Sequence, residues 1–177
     1  MNKPIPTARL RHAGHAALEA HFLALDPEDR RLRFGTPVAD SAIHEYVQSI
    51  DFERDGVFAV RDPRWRLVAV VHVATLGATA ELGLSVLPGW RGAGNGNALL
   101  QRAVTWLRNR GILAVYVHCI AENAAMMRLA RRNGMRIVYS GAETDAHLEL
   151  DAPNPGSRMA EWIDDLRAAM QPAARAP

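Results

Sequence analysis

The sequence has one cysteine, Cys119, and one lysine, Lys3. A lone cysteine cannot close an intrachain disulfide, and no second thiol lies at zinc-site spacing. His12 and His15 have a loose metal spacing but no partner ligands nearby, so no metal is expected. Polar residues interrupt every apolar run well before 18 residues, which excludes a transmembrane helix by composition. The N-terminal segment lacks the long apolar core of a signal peptide, so the expected location is cytoplasmic. Large charge imbalance is also missing. The formal net charge is +2 and the pI about 9.1, with no basic run and no basic patch interleaved with aromatics. That argues against a nucleic-acid partner. The scarcity of lysine leaves arginine as the basic residue, which suits bidentate phosphate binding but would equally follow from codon bias.

What is present is 177 residues, 49% hydrophobic and 23% charged. That suits one globular domain burying roughly 70% of its unfolded surface. There is no internal repeat. Residues 7–12 are predicted as a first strand, and a helix is predicted from His15 to Leu25. The run 29–34 (DRRLRF) is too charged for a core element. Asp40 or Ser41 is expected to cap a helix through Ile50. Strands are predicted at Val57–Arg61, Leu67–Leu76 and Ala80–Leu87, separated by the turn signals Asp62-Pro63 and Gly77. Leu99, Leu100, Ala103, Val104 and Leu107 lie on one face of a helix from Asn95 to Arg110, closed by Gly111. Ile112–Ile120 is a strand, and Glu122 or Asn123 starts a helix ending near Gly134. Two strands follow, Arg136–Ser140 and Ala146–Leu150. Pro153 and Pro155 mark a linker, after which Ser157 caps a last helix to about Met170 and the Pro/Ala tail frays. The expected fold class is α/β (α+β mixed sheet), about six to seven strands flanked by helices. Residues 1–152 would form the domain, with 153–177 packed on it.

The segment Val86–Leu100 reads VLPGWRGAGNGNALL. A strand runs into Gly92, Gly94 and Gly96 and then into a helix. Glycine allows a sharp turn and close backbone approach to a ligand, and free N–H groups at the helix start favour an anion. Phosphate or pyrophosphate is the predicted ligand, against the alternative of a plain tight turn. No Gly-Lys-Ser/Thr is present, so this is not a P-loop. The dinucleotide pattern fails because Leu99 stands at the sixth position.

Arg91-Gly92-Ala93-Gly94-Asn95-Gly96 resembles the signature Arg/Gln-x-x-Gly-x-Gly/Ala of GNAT N-acetyltransferases. Downstream, Asn123 with Met126, Leu129 and Gly134-Met135 is similar to that family's second motif. The likeness spans about residues 7–150, and the Asn-x-x-Met…Leu-Ala pattern is similar to the subset resembling protein-lysine acetyltransferases. It implies acetyl-CoA as co-substrate, with the amides of Arg91–Gly96 on its pyrophosphate. It also implies that Val86 and Leu87 pair with pantetheine and that Asn123 contacts the pantetheine arm. Arg128, Arg131 and Arg132 could reach the adenosine phosphates or simply form a solvated face. The implied reaction is transfer of acetyl to a primary amine, on a small molecule or a protein lysine, with no membrane partner. The alternative is a non-catalytic acyl-CoA-binding regulatory module.

Glu81, Gly83 and Ser85 share one strand face, and Leu82, Leu84 and Val86 the other. Glu81 is the candidate general base and Ser85 a second candidate catalytic group; for Glu81 a surface strand-end role is the open alternative. The family's tyrosine proton donor is replaced by Ala130. Water, Tyr116, Tyr139 or Ser85 could act instead, or the thiolate could leave unassisted. A backbone N–H near Leu87 could meet the oxyanion. His118 and Cys119 point to opposite faces, so no Cys–His pair is expected. The C-terminal helix could serve a homodimer contact.

Overall fold

The computed structural model describes residues 4–171, so most of the tail predicted to fray lies outside the described residues. Seven strands form one mixed sheet in the order β1-β2-β3-β4-β5-β7-β6. They are β1 (Ala8–Arg9), β2 (Gly56–Arg61), β3 (Leu67–Leu76), β4 (Thr79–Val86), β5 (Ala114–Ile120), β6 (Arg136–Ser140) and β7 (Glu143–Glu149). Six α-helices flank it: α1 (His15–Leu23), α2 (Pro27–Phe34), α3 (Asp40–Gln48), α4 (Asn95–Asn109), α5 (Ala124–Arg132) and α6 (Pro155–Ala169). None of these helices is long and apolar enough to cross a membrane.

The sheet carries a separate core on each face, as alternation along a strand requires. Val71 and Val73 of β3 and Leu82 of β4 pack under Leu99, Ala103 and Leu107 of α4 and Met127 of α5. Val57 and Val70 point the other way, onto Leu18 and Phe22 of α1 and Ile43 and Val47 of α3. The residues on α4 are those its periodicity marks.

Three local readings are corrected. Residues 27–34 form a helix despite their charge. The Asp26 carboxylate accepts the Asp29 N–H at 2.8 Å, Pro27 takes the first turn, and Gly35, at φ 77°, ends it. These are ordinary start and stop signals, and the charge of the run masked them. Helix α3 is not capped by Asp40 or Ser41; Ala39 occupies the N-cap, and Asp40 accepts from Arg30 at 2.6 Å. Helix α6 is capped by Asn154, whose side chain accepts from the Ser157 N–H at 2.8 Å, while the Ser157 hydroxyl accepts from the Asn154 N–H at 3.0 Å. Ser157 therefore sits at the third helical position of a capping box.

Helix α6 is fastened to α4 by polar groups. The nearly fully buried Arg102 pairs with Asp165, and Glu161 accepts from Asn109 (2.6 Å) and Arg110 (2.9 Å). Its outer face leaves Met159, Trp162, Leu166 and Met170 exposed.

The pairing of β4 with β5 positions the site. Both strands run parallel, and they pair only at Thr79–Glu81 with Ala114–Tyr116. Beyond Glu81 and Tyr116 they part, and β5 continues on β7 alone. The carboxyl ends of two adjacent parallel strands therefore border an open wedge, the place where open α/β sheets bind ligands.

Candidate functional site

Two cavities meet at this wedge. The larger, of about 580 Å³, lies between the end of β4, the start of α4 and the start of α5. Its floor is the glycine turn. Gly92 (φ 75°) and Gly94 (φ 88°) adopt left-handed conformations that side chains disfavour. Gly94 is the N-cap of α4 and carries no capping side chain; its carbonyl takes the Ala98 N–H at 3.0 Å. The amides of Asn95, Gly96 and Asn97 thus remain as the orphan donors of a 15-residue helix. The Asn95 side chain holds the turn itself, donating to the Trp90 carbonyl at 2.7 Å. The Arg91 side chain also points inward, donating to the Val86 carbonyl at 3.0 Å and pairing with the buried Asp29 of α2.

The β3–β4 register is unbroken from Leu76↔Thr79 to Ala69↔Val86, and the Leu87 N–H donates to the Val68 carbonyl at 2.9 Å. Hydrogen-bonded residues alternate along an antiparallel ladder. Gly83 and Ser85 therefore also turn their backbone groups to β3, while Leu84 and Val86 turn theirs into the wedge. This corrects the expectation for Leu87. Its N–H is committed to Val68 and its carbonyl accepts the Trp90 N–H at 2.9 Å. Leu87 can neither extend a ladder to a ligand nor stabilise an oxyanion.

Asn123 borders the same cavity, but both ends of its side chain are engaged. Oδ1 caps α5 by accepting the Met126 N–H at 3.0 Å, and Nδ2 donates to the Leu32 carbonyl of α2 at 3.2 Å. Arg128 and Arg132 line the cavity without an ion-pair partner among the described residues. Arg131 turns away and donates to the Tyr139 hydroxyl. Ala130 is fully buried in the core beneath α5.

The second cavity, of about 500 Å³, lies on the other side of the wedge. Glu81 is exposed at its wall, where β4 and β5 separate. Glu143 and Asp145 of β7 border it from the far side, and Asp145 accepts from His118 Nδ1 at 2.6 Å. Cys119 also borders it, but burial pushes its thiol up to about 11, so it is no nucleophile at neutral pH.

Arg33 of α2 is the one residue lining both cavities. Its guanidinium lies flat on β4 at Gly83, where any Cβ would overlap it. It is boxed by the rings of Phe34 (4.9 Å), Phe22 (5.6 Å) and Tyr46 (5.6 Å) and donates to the Tyr46 hydroxyl at 2.8 Å. The Tyr46 hydroxyl donates to His72 Nδ1 at 2.6 Å, and His72 Nε2 donates to the buried Asp55 at 3.3 Å. Burial, and then the nearby Arg33 charge, lowers the His72 pKa. Neutral His72 has one accepting and one donating nitrogen, which is what the chain of bonds requires.

Ser85 is tied to α1. His21 Nδ1 donates to the Leu67 carbonyl at 2.9 Å, so Nε2 accepts the Ser85 hydroxyl hydrogen at 2.8 Å. That hydrogen is therefore not free to protonate a thiolate. Tyr116 lies between His118 and His147, and neither Tyr116 nor Tyr139 lines either cavity.

Burial lowers the His21 pKa to about 4, from an ordinary value of about 6.5. The unfolded chain binds this proton below pH 6.5 and the folded chain refuses it until about pH 4. Stability is therefore expected to fall as pH drops through that window, by roughly 3 kcal/mol from His21 alone. Urea unfolding at pH 7, 5.5 and 4.5 measures it. His21→Gln should flatten that part of the profile; an unchanged slope in the variant contradicts the assignment.

Sequence reading missed Arg33, Tyr46, His72, Asp55 and His21. They come from five separate segments, and no contiguous pattern joins them. One signal was available: His72 is the lone ionisable residue in the apolar run LVAVVHVATL.

The acetyltransferase (GNAT) family model matches residues 49–135. The fold is similar to the GNAT domain of PAT from S. lividans (TM-score 0.71, 17% identity, 85% of this chain and 96% of that one). It is also similar to a GNAT-family acetyltransferase of Staphylococcus aureus Mu50 (TM-score 0.68, 14% identity, 83% and 99%). A third similar structure is the ribosomal-protein-alanine N-acetyltransferase of Brucella melitensis (TM-score 0.64, 17% identity, 81% and 99%). No curated protein matches the chain in sequence.

Proposed function

From a chain that carries a GNAT-family acetyltransferase domain, we propose that it moves an acetyl group from acetyl-CoA to a primary amine by direct attack. The observation that carries this reading is the wedge between β4 and β5. It joins a cavity floored by uncapped helix amides to one walled by the exposed Glu81 carboxylate.

The residues present fit acetyl-CoA. The amides of Asn95, Gly96 and Asn97 suit its pyrophosphate, helped by the α4 dipole. The inward-facing amides of Leu84 and Val86 suit the pantetheine arm, as an added strand would pair. Arg128 and Arg132 suit the remaining phosphates. Asn123 acts indirectly, by fixing the start of α5 against α2. When bound, the thioester would supply the activated acyl carbon.

Glu81, directly or through a water, takes the proton from the acceptor ammonium. The amine nitrogen then bonds to the acyl carbon, the carbon–sulfur bond breaks, and the second N–H proton of the attached nitrogen passes to water, leaving the neutral amide. Of the Leu84 and Val86 amides, the one that pantetheine leaves free replaces Leu87 as donor to the developing oxyanion. Ala130 has no proton to give, and the hydroxyl hydrogens of Ser85 and Tyr46 are held by His21 and His72. The thiolate therefore leaves unassisted and is protonated by water.

Thiol release from acetyl-CoA across a panel of amines tests the reading. Release that depends on the amine is expected. Tight acetyl-CoA binding with no acceptor-dependent release would instead make the chain an acyl-CoA-binding module.

A further inference from the structure

The acceptor cavity holds charges of both signs that do not neutralise each other. Arg33 makes no ion pair among the described residues, whereas its neighbours on α2 do: Arg30 with Asp40 and Arg31 with Glu28 and Glu122. Its Nε is buried without a hydrogen-bond partner, and its one side-chain bond goes to the neutral Tyr46 hydroxyl. Three aromatic rings and the Asp55–His72–Tyr46 chain hold the guanidinium in place over Gly83. Aromatic faces offset only part of the cost of desolvating a cation. The fork of donors that remains matches a carboxylate.

Across the same cavity, Glu81 and Glu143 have no cationic partner among the described residues. Glu81 precedes Gly83 by two positions on one strand face, a rise of about 6.6 Å. A guanidinium on one position and a carboxylate on the other span about the length of a small molecule that carries both complementary charges.

Resting on the acetyltransferase reading above, we infer that the acceptor is a zwitterion. It is an amino acid or close analogue, with its carboxylate on Arg33 and its ammonium on the Glu81 side. This also gives Gly83 a reason: only a residue without Cβ lets Arg33 lie flat on β4 two residues from Glu81. An acceptor bound by its carboxylate at Arg33 presents its amine between Glu81 and the thioester.

The test compares matched acceptors. The wild-type enzyme is assayed for thiol release with each amino acid, and the best is compared with its amide and with the amine lacking the carboxylate. Charged hydrogen bonds of this kind support a preference of about 10- to 100-fold in kcat/KM for the zwitterion. In Arg33→Gln the ratio between zwitterion and plain amine should collapse toward one, with the KM for acetyl-CoA staying within about two-fold. Gly83→Ala should do the same with the arginine still present, because it evicts only the flexible end of Arg33. Equal use of zwitterion and plain amine by the wild type overturns the inference alone. So does a rise in the acetyl-CoA KM in both variants, which would assign Arg33 to the thioester side. No amine-dependent release at all overturns the acetyltransferase reading and this inference with it.

Discussion

Glu81→Gln is expected to lower acetyl transfer at pH 7 by about 100- to 10,000-fold, the usual contribution of a general base. The acceptor is mostly ammonium at that pH and cannot attack until it loses a proton. Glu81 stands exposed at the wall of the second cavity, at the last residue where β4 pairs with β5. Glutamine keeps the shape and removes the base, so acetyl-CoA binding should stay near wild type. The deficit should shrink toward pH 9, where free amine needs no base. A variant with wild-type rate from pH 6 to 9 would show that Glu81 is not the base. Weakened acetyl-CoA binding would make it structural.

Gly94→Asp is expected to abolish the stabilisation that acetyl-CoA confers. A ligand at about 100 times its dissociation constant adds roughly 2.7 kcal/mol, about 5–11 °C in Tm for a chain of this size. The substitution sets a carboxylate at the uncapped start of α4, among the amides of Asn95, Gly96 and Asn97. It would both repel an anion and cap the helix itself. The site has room, since a Cβ there meets only Ile5 at 3.5 Å. The φ of 88° makes a side chain strained, at a cost of about 1–3 kcal/mol. The variant should therefore melt somewhat lower without ligand and show no shift with it. An undiminished shift, read by differential scanning fluorimetry, would remove the pyrophosphate from this turn.

These two sites were legible to different degrees. The glycine turn and α4 are contiguous. The spacing of Gly92, Gly94 and Gly96 and the apolar face Leu99–Leu107 are properties of the local chain, and the helix expected at Asn95–Arg110 runs from Asn95 to Asn109. The face shared by Glu81, Gly83 and Ser85 followed from strand alternation in the same way. Helix α2 was misread because its charge was weighed above its Asp26-Pro27 start and Gly35 stop. That error hid Arg33, since a run taken to lie outside the core is not searched for a residue that lines both cavities.

Sequence alone thus determined the elements whose order depends on local periodicity and turn chemistry: the strand–glycine turn–helix unit, a helix starting at Glu122 or Asn123, and the alternating faces of β4. The tertiary structure decided who meets whom. Leu87 loses its free amide because the register with β3 places Val68 opposite it. Ser85 becomes a donor to His21 because α1 packs on β3, whose start lies beside the end of β4. Arg33 reaches Gly83, Tyr46 and His72 only after α2, α3 and β3 pack together. Such contacts depend on pairings between segments tens of residues apart, which no local spacing encodes.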